Sequence, residues 1–116
     1  MTMNEAVSHL LDGVTMQYTY TEMGTVRTVY EKGFISFEWL AGPLKGGCGG
    51  GFVYRARQLD DNRFFVNWHE PALPGFVTLY IDFEAGQVHS SLIAAYATDD
   101  EEIHFDYAAI DHVERA

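Results

Sequence analysis

The sequence predicts an all-β fold, namely one small closed antiparallel β-barrel of about eight strands preceded by a short N-terminal helix. Two features predict it. Beyond the first 13 residues the apolar side chains recur with a period of two, and the alternating segments are short and separated by turn-forming residues. We expect a single domain over residues 1–116, with the helix in 1–13 and the barrel in 14–113. A β-sandwich made of the same strands is the structural alternative.

The N-terminal segment has helical spacing. Between Asn4 and Leu11 the apolar residues recur at the period of an amphipathic helix, and Gly13 is a suitable stop signal. A short amphipathic helix beside a barrel is suited to act as a lid or a plug.

The first predicted strand shows the alternation most clearly. Val14, Met16, Tyr18 and Tyr20 alternate with polar residues, which places the four larger side chains on one face that must be buried. The other predicted strands cover residues 26–31, 34–40, 52–59, 63–70, 76–83, 87–97 and 103–113. Short strands joined by tight connections favour an up-and-down barrel, whose interior can hold side chains or one small ligand.

Composition and charge exclude several classes of function. The chain is 47% hydrophobic, and its one cysteine, Cys48, cannot form an internal disulfide. Seven basic against 17 acidic residues give a formal charge of -10, which repels a nucleic-acid backbone. The acidic run 99–102 is expected to be a solvated turn. No signal peptide or membrane-crossing apolar run is apparent, so we expect a cytoplasmic protein without nucleic-acid or membrane partners.

The segment 63–70 carries the most chemical information. Alternation puts Trp68 and Glu70 on the same face, so an inward tryptophan brings a carboxylate into the barrel. A carboxylate there is costly to desolvate and needs hydrogen-bond donors or a proton, and these are the conditions under which a general acid or base works. In the alternative interpretation, Pro71 ends the strand at the barrel rim and Glu70 is simply hydrated.

Tyr18 and Tyr20 are a second pair of candidates. They share one face two residues apart, so their hydroxyls could converge on one anion or carbonyl of a bound molecule. The alternative is two core tyrosines whose hydroxyls reach the rim.

The remaining signals are weaker. The stretch Gly46 to Gly51 lacks the Lys-Ser or Lys-Thr ending of a phosphate loop, so we expect a mobile portal, a close backbone approach to a ligand, or a flexible hairpin, with Cys48 as a bystander. The five histidines have no metal-ligand spacing, although His89 and His104 could meet across neighbouring strands with Asp106. We therefore predict no metal and no cofactor.

Three segments resemble a known group of proteins. They are Tyr18-Thr19-Tyr20, the stretch from Ile35 to Gly42, and Phe65-Val66-Asn67-Trp68-His69-Glu70-Pro71 followed by Val77-Thr78-Leu79. In order, spacing and composition they resemble the bacterial phenolic acid decarboxylases and the related MoaF-like proteins. The resemblance spans residues 16–96 and implies a calycin, or lipocalin-like, barrel.

The resemblance also implies roles for individual residues. In the decarboxylases a tyrosine pair holds the substrate carboxylate and a glutamate in the W-x-E-P segment is the acid-base residue, which implies those roles here for Tyr18, Tyr20 and Glu70. Those enzymes carry an arginine in a G-R-W segment, and the matching place here is Gly46-Gly47-Cys48, which offers no guanidinium to anchor a carboxylate. The chain is thus more similar to the short MoaF-like proteins.

Three functions are compatible with these features. The first is a binding module whose barrel, lined by Tyr18, Tyr20, Trp68 and Glu70, captures a small aromatic or apolar molecule bearing a polar group. The second is an enzyme, a lyase, isomerase or cyclase, in which Glu70 transfers a proton and the tyrosines orient the substrate. The third is a structural or interaction protein, such as a homodimer, whose cavity has no role.

Overall fold

The computed structural model describes residues 9–116 as one closed barrel. Its strands are β1 Val14–Tyr20, β2 Gly24–Glu31, β3 Phe34–Ala41, β4 Cys48–Gln58, β5 Arg63–Glu70, β6 Gly75–Asp82, β7 Gln87–Ala94 and β8 Glu102–Arg115. Each strand pairs antiparallel with the next, and β1 pairs with β8 to close the sheet. The predicted barrel is confirmed, and the sandwich alternative is wrong because the sheet closes on itself.

Most of the predicted N-terminal helix lies outside the described residues. Its described end, continued to Gly13, forms turns. Leu11 is buried there and donates its backbone N–H to the Tyr54 hydroxyl at 2.9 Å. Tyr54 in turn donates to Asp12 at 2.7 Å, and Asp12 accepts the backbone N–H of Gly33 at 3.0 Å. These contacts place the segment that leads into β1 across one end of the barrel.

Side chains fill the half of the barrel next to this closed end. The rings of Tyr30 and Tyr54 pack edge to face there, with their centroids 5.0 Å apart. The buried apolar side chains around them are Val14, Met16, Ile35, Ala56, Phe64, Val66, Ile81 and Val88. They occupy alternate positions on their strands, as a period of two requires. Within residues 9–116 no helix is long and apolar enough to cross a membrane.

The glycine-rich stretch is more ordered than the sequence predicts. We expected 46–51 to be a portal or a flexible hairpin, but its second half belongs to β4. A Cβ on Gly49 would lie 2.8 Å from the Phe37 ring, and a Cβ on Gly50 would lie 2.6 Å from the Ser36 hydroxyl. Glycine therefore permits a close approach between β3 and β4, whose pairing shifts register at this point.

The opposite end of the barrel is surrounded by loops. Residues 42–47 connect β3 to β4, residues 71–74 connect β5 to β6, and residues 95–101 connect β7 to β8. β7 ends at Ala94 rather than at Ala97, because Ala95 and Ala97 adopt φ angles of 51° and 62° that a strand does not use. Alanine gives no turn signal, which is why the sequence predicts a longer strand.

Candidate functional site

A cavity of about 570 Å³ occupies the half of the barrel next to these loops. Natural sites for small molecules have roughly 300–1,000 Å³, so its size suits one small ligand. Its wall is mostly aromatic and aliphatic, with Phe37, Trp39, Phe52, Trp68, Val77 and Leu92 among the lining residues. Leu73 and Ala72 of the 71–74 loop close over the same space.

The aromatic part of the wall is held by ring contacts. Tyr18 packs edge to face on Tyr20 with a centroid distance of 5.5 Å, and Tyr20 lies 6.0 Å from Trp39. Phe37 and Phe52 stack at 6.1 Å across the β3–β4 pair. Rings that pack on one another lose little mobility when a ligand arrives, so this wall is largely pre-organised.

Trp68 and Glu70 form the most specific polar contact of the cavity. Both side chains line it, and the indole Nε1 of Trp68 donates to Glu70 Oε2 at 2.8 Å. β5 does end just before Pro71, yet Glu70 is only 9% exposed because the alternation of the strand turns its side chain into the barrel. Glu70 is therefore a buried carboxylate oriented by Trp68, rather than a hydrated residue of the rim.

Tyr18 and Tyr20 reach the cavity from β1 and remain protonated. Burial raises the pKa of Tyr18 to about 12, and the neighbouring Thr28 hydroxyl offsets only part of this effect. Burial also raises the pKa of Tyr20 well above its ordinary value, and the proximity of Tyr18 adds to it. Both phenols can therefore act as hydrogen-bond donors throughout the ordinary pH range.

Two other hydroxyls belong to the same wall. Thr28 on β2 and Ser90 on β7 line the cavity, and Tyr30 lies deeper in the core. Within residues 9–116 the hydroxyl oxygens of these three side chains form no hydrogen bond of good geometry. Thr28 nevertheless lies close enough to Tyr18 and Tyr30, and Ser90 close enough to Tyr20, to lower the pKa of those phenols. These hydroxyls are therefore poorly paired, and a buried hydroxyl with no partner at all costs about 1–3 kcal/mol.

The charge inside the cavity is one-sided. Among residues 9–116, Glu70 is the only acidic residue in its wall, and no lysine, arginine or histidine of this range lines it. In the part of the chain that the structure describes, no basic group lies within 4.0 Å of Glu70. Gly47 and Cys48, the place of the arginine in the decarboxylases that the sequence resembles, do line the cavity but supply no cation.

Asp106 anchors the turn beside the cavity mouth. Its carboxylate accepts the Thr21 hydroxyl at 2.6 Å and the backbone N–H groups of Met23 at 3.2 Å and Tyr107 at 2.7 Å. Burial opposes ionisation, but these hydrogen bonds outweigh it and lower the pKa of Asp106. The β1–β2 turn is thereby held against β8, with Met23 in the cavity wall.

The histidine arrangement considered from the sequence does not form. The β7–β8 register gives residues 89 and 104 opposite orientations, so these two histidines cannot meet. His89 points outward, and its ring lies 5.1 Å from the ring of Tyr107. His104 instead approaches Glu22 at 3.3 Å and Asp106 at 3.8 Å. Asp106 is already engaged by its hydrogen-bond donors, His104 is half-buried and Glu22 is exposed, so these three side chains form a cluster beside the β1–β2 turn and not the site with His89 considered from the sequence.

The four residues predicted to line the site, Tyr18, Tyr20, Trp68 and Glu70, are brought together in one cavity. Sequence reasoning missed Thr28 and Ser90, although a signal existed. Each is a polar residue at the inward position between two buried or lining apolar residues of its strand. It also missed the aromatic wall of Phe37 and Trp39.

Comparison with known proteins adds a fold relationship only. No protein-family model matches the chain, and no curated protein sequence does. The structure is similar to that of a protein from Burkholderia vietnamiensis described as a "putative beta-lactamase", with a TM-score of 0.76 and 20% sequence identity. The match covers 90% of this chain and 96% of the other. At this identity the likeness shows a common barrel fold and no common chemistry.

Proposed function

We propose that the protein binds one small molecule inside the barrel, a molecule with an aromatic or apolar body and a polar group. The observation that carries this proposal is the cavity of about 570 Å³ with its aromatic wall. Burial of an apolar ligand surface there is favourable by roughly 25 cal/mol per Å². Buried donors and one carboxylate supply the orientation that such sites need.

The polar end of the ligand belongs among the hydroxyls. Tyr18 and Tyr20 are protonated donors, and Thr28 and Ser90 lie beside them in the same wall without a hydrogen bond of good geometry. A carbonyl, hydroxyl or amide of the ligand that bonds to this group relieves part of the cost of leaving hydroxyls unpaired. On this proposal, the poorly paired hydroxyls of Thr28 and Ser90 lower the stability of the empty barrel because they are placed to bind the ligand.

The negative charge of the cavity determines which polar group the ligand can carry. A ligand carboxylate would enter a cavity that contains Glu70 and no basic side chain, and it would lose its hydration without gaining a cation. A neutral group, or one that donates hydrogen bonds to Glu70, meets no such penalty. We therefore propose neutral or cationic ligands rather than aromatic acids.

The family assignment is part of the proposal. The Y-T-Y and W-x-E-P segments that resemble the MoaF-like proteins contribute Tyr18, Tyr20, Trp68 and Glu70 to one cavity wall. Residues that are far apart in the sequence but meet at one site support a relationship better than a fold does. We propose that the chain is a MoaF-like calycin.

An enzyme is the second candidate, and the Trp68–Glu70 hydrogen bond favours it. A buried carboxylate with a defined orientation, facing protonated tyrosines across an apolar cavity, can transfer a proton to or from a bound substrate. A lyase, isomerase or cyclase would use Glu70 as the acid-base residue. Turnover of a bound compound that stops in Glu70→Gln, while binding persists, would establish this function.

The name of the Burkholderia protein suggests a different activity, which the residues here do not support. Among the described residues, Ser90 is the one serine in the cavity wall, and no lysine or histidine of residues 9–116 lines the cavity to activate it. The sequence also has no S-x-x-K motif. We therefore do not extend a β-lactamase activity to this chain.

A thermal-shift screen tests the binding proposal. The wild-type protein would be heated with neutral phenols, aromatic amines, aromatic acids and apolar metabolites, beside the variants Tyr20→Phe and Glu70→Gln. A ligand at 100 times its dissociation constant stabilises by roughly 2.7 kcal/mol, a shift of several degrees for a domain of this size.

We expect stabilisation by neutral or cationic compounds that weakens in both variants. The matched surface variants Tyr96→Phe and Glu102→Gln, whose residues are exposed, should respond like the wild type. Absence of any shift would contradict the proposal, and so would shifts that are equal in all variants.

A further inference from the structure

We propose that the outer face of β5–β8 is the interface of a homodimer, in which it packs against the same face of a second copy of the chain. The outward residues of these strands form four rows across the sheet. The row at one end, Arg63, Asp82, Gln87 and Ala109, is polar and partly charged. The other three rows are Phe65, Tyr80, His89 and Tyr107, then Asn67, Thr78, Ser91 and Phe105, then His69, Phe76, Ile93 and Ile103. We call the surface made by these three rows the aromatic face.

The aromatic face is unusually apolar for a surface. Phe105 is 72% exposed and Ile103 is 64% exposed, and Phe65 and Tyr107 are exposed as well. Its rings contact one another across strands, as in the stacking of His69 on Phe76 at 4.6 Å, and Tyr96 packs edge to face on Phe76 at 5.5 Å. Within residues 9–116 the four most exposed apolar members of the face stay uncovered: Phe65, Ile103, Phe105 and Tyr107. A contiguous exposed patch of this kind marks an interaction site, whereas isolated apolar residues do not.

The charge distribution identifies the partner as a second copy. The chain has a formal charge of -10 with histidine neutral, yet no residue of the aromatic face is Asp, Glu, Lys or Arg. Two copies repel each other through most of their surfaces, and this face lets them meet with the acidic groups kept apart. Two sheets that pack face to face through apolar side chains are a common arrangement in β-proteins.

The borders of the face are complementary in charge. Arg55 and Arg57 on β4 flank it beside Asn67 and Phe65, and within residues 9–116 neither has an acidic partner within 4.0 Å. The acidic run 99–102 lies at the other end, next to the start of β8. In a symmetric pair, a two-fold axis in the plane of the interface can bring the arginines of each copy to the acidic run of the other.

The available area is close to what a stable dimer needs. A fully exposed aromatic side chain presents about 200 Å², so the most exposed members of the face together present on the order of 500 Å². A standard interface buries ~800 Å² per partner, so the less exposed residues of the face and one charged border would have to supply the rest.

Sedimentation equilibrium tests this proposal with a matched pair of variants. We expect the wild type to have twice the 13.1 kDa mass of one chain, and Phe105→Glu to have the mass of one chain. Phe34 is also an exposed phenylalanine, but it lies on β3 outside the aromatic face, so Phe34→Glu should remain dimeric. A monomeric wild type at about 100 µM, or a dimeric Phe105→Glu, would overturn the proposal.

A charge-reversal variant keeps the test decisive if Phe105→Glu fails to fold. Arg55 and Arg57 are exposed, so the double change Arg55→Glu and Arg57→Glu should leave the barrel intact. We expect it to raise the dimer dissociation constant at least ten-fold at low salt, with the difference shrinking as salt screens the charges. An unchanged dissociation constant would count against the arrangement of the borders.

Discussion

Thr28 is a residue at which stability and binding are opposed. Its hydroxyl is buried in the cavity wall near the phenols of Tyr18 and Tyr30 but forms no hydrogen bond of good geometry, and a valine has nearly the same shape. We predict that Thr28→Val raises the free energy of unfolding by about 1 kcal/mol, because a buried hydroxyl without a partner is costly. Denaturant unfolding measures the change.

The outward Thr15 on the neighbouring strand provides the control for this prediction. Thr15→Val should leave stability nearly unchanged, since Thr15 is on the partly solvated side of β1. A loss of stability in Thr28→Val would mean that the Thr28 hydroxyl has a partner after all, and the argument from unpaired hydroxyls would not hold.

Asp106 sets the acid sensitivity of the barrel at the residue scale. Hydrogen bonds lower its pKa in the folded state, so its stabilising effect is present above the unfolded pKa, near 3.9, and disappears as the pH falls through the lower folded value. We predict that Asp106→Asn destabilises the protein by about 2 kcal/mol at pH 7, and that this difference shrinks in acid.

Unfolding in urea at pH 7 and at pH 3 measures both parts of this prediction. Asp111, an exposed aspartate on the same strand that accepts the Thr19 hydroxyl, is the matched control, and Asp111→Asn should have a small effect at either pH. An Asp106→Asn variant as stable as the wild type at pH 7 would show that the carboxylate does not hold the β1–β2 turn.

At the residue scale the sequence predicted one part of the cavity well and another poorly. Tyr18 and Tyr20 alternate with polar residues, and Trp68 and Glu70 continue the inward series of Phe64 and Val66, so a period of two assigns their direction. Trp39 continues a similar inward series after Ile35 and Phe37, with Ser36 and Glu38 between them. The large residues Phe34 and Leu40 near the two ends of β3 weaken this pattern without hiding it.

Among the elements, β2 and β3 depend on a contact between two glycines at the cavity end. A Cβ on Gly24 would lie 2.2 Å from the carbonyl oxygen of Ala41, and a Cβ on Gly42 would lie 2.6 Å from the Cα of Gly24. Gly24 also adopts a φ of +97°. This contact between the β1–β2 turn and the β3–β4 loop shapes the mouth of the cavity.

We predict that Gly24→Ala destabilises the protein by more than about 2 kcal/mol, because strain in φ is added to a backbone clash. Gly86 has a φ of +70° with nothing near its hypothetical Cβ, so Gly86→Ala isolates the strain in φ, about 1 kcal/mol. Thermal unfolding compares the two variants, and equal losses would show that the glycine contact is not tight.

Element boundaries were predicted less accurately than element types. Each strand segment was recognised from alternation, but β4 begins at Cys48 within a run of glycines, and glycine carries neither polarity nor bulk to extend a pattern. The reason for these glycines lies on β3, in Phe37 and Ser36, and sequence alone does not show which strands approach each other closely.

The whole molecule is a closed barrel with an open cavity inside it and the exposed aromatic face outside it. A closed barrel has no free edge to which another strand could be added, so partners must bind through these two surfaces. The proposed ligand fills the cavity, and the proposed second copy covers the aromatic face. The two surfaces lie on opposite sides of the sheet of β5–β8, so binding and dimerisation can be tested separately.

Calorimetric titration of the best compound from the screen tests the central claim, binding inside the barrel, most directly. Val26 lines the cavity and Val29, on the same strand, points outward, so Val26→Phe fills the cavity while Val29→Phe does not. We predict one binding site per chain in the wild type and in Val29→Phe, and at least ten-fold weaker binding in Val26→Phe, about 1.4 kcal/mol. Equal affinity in all three proteins would place the ligand outside the barrel and contradict the account.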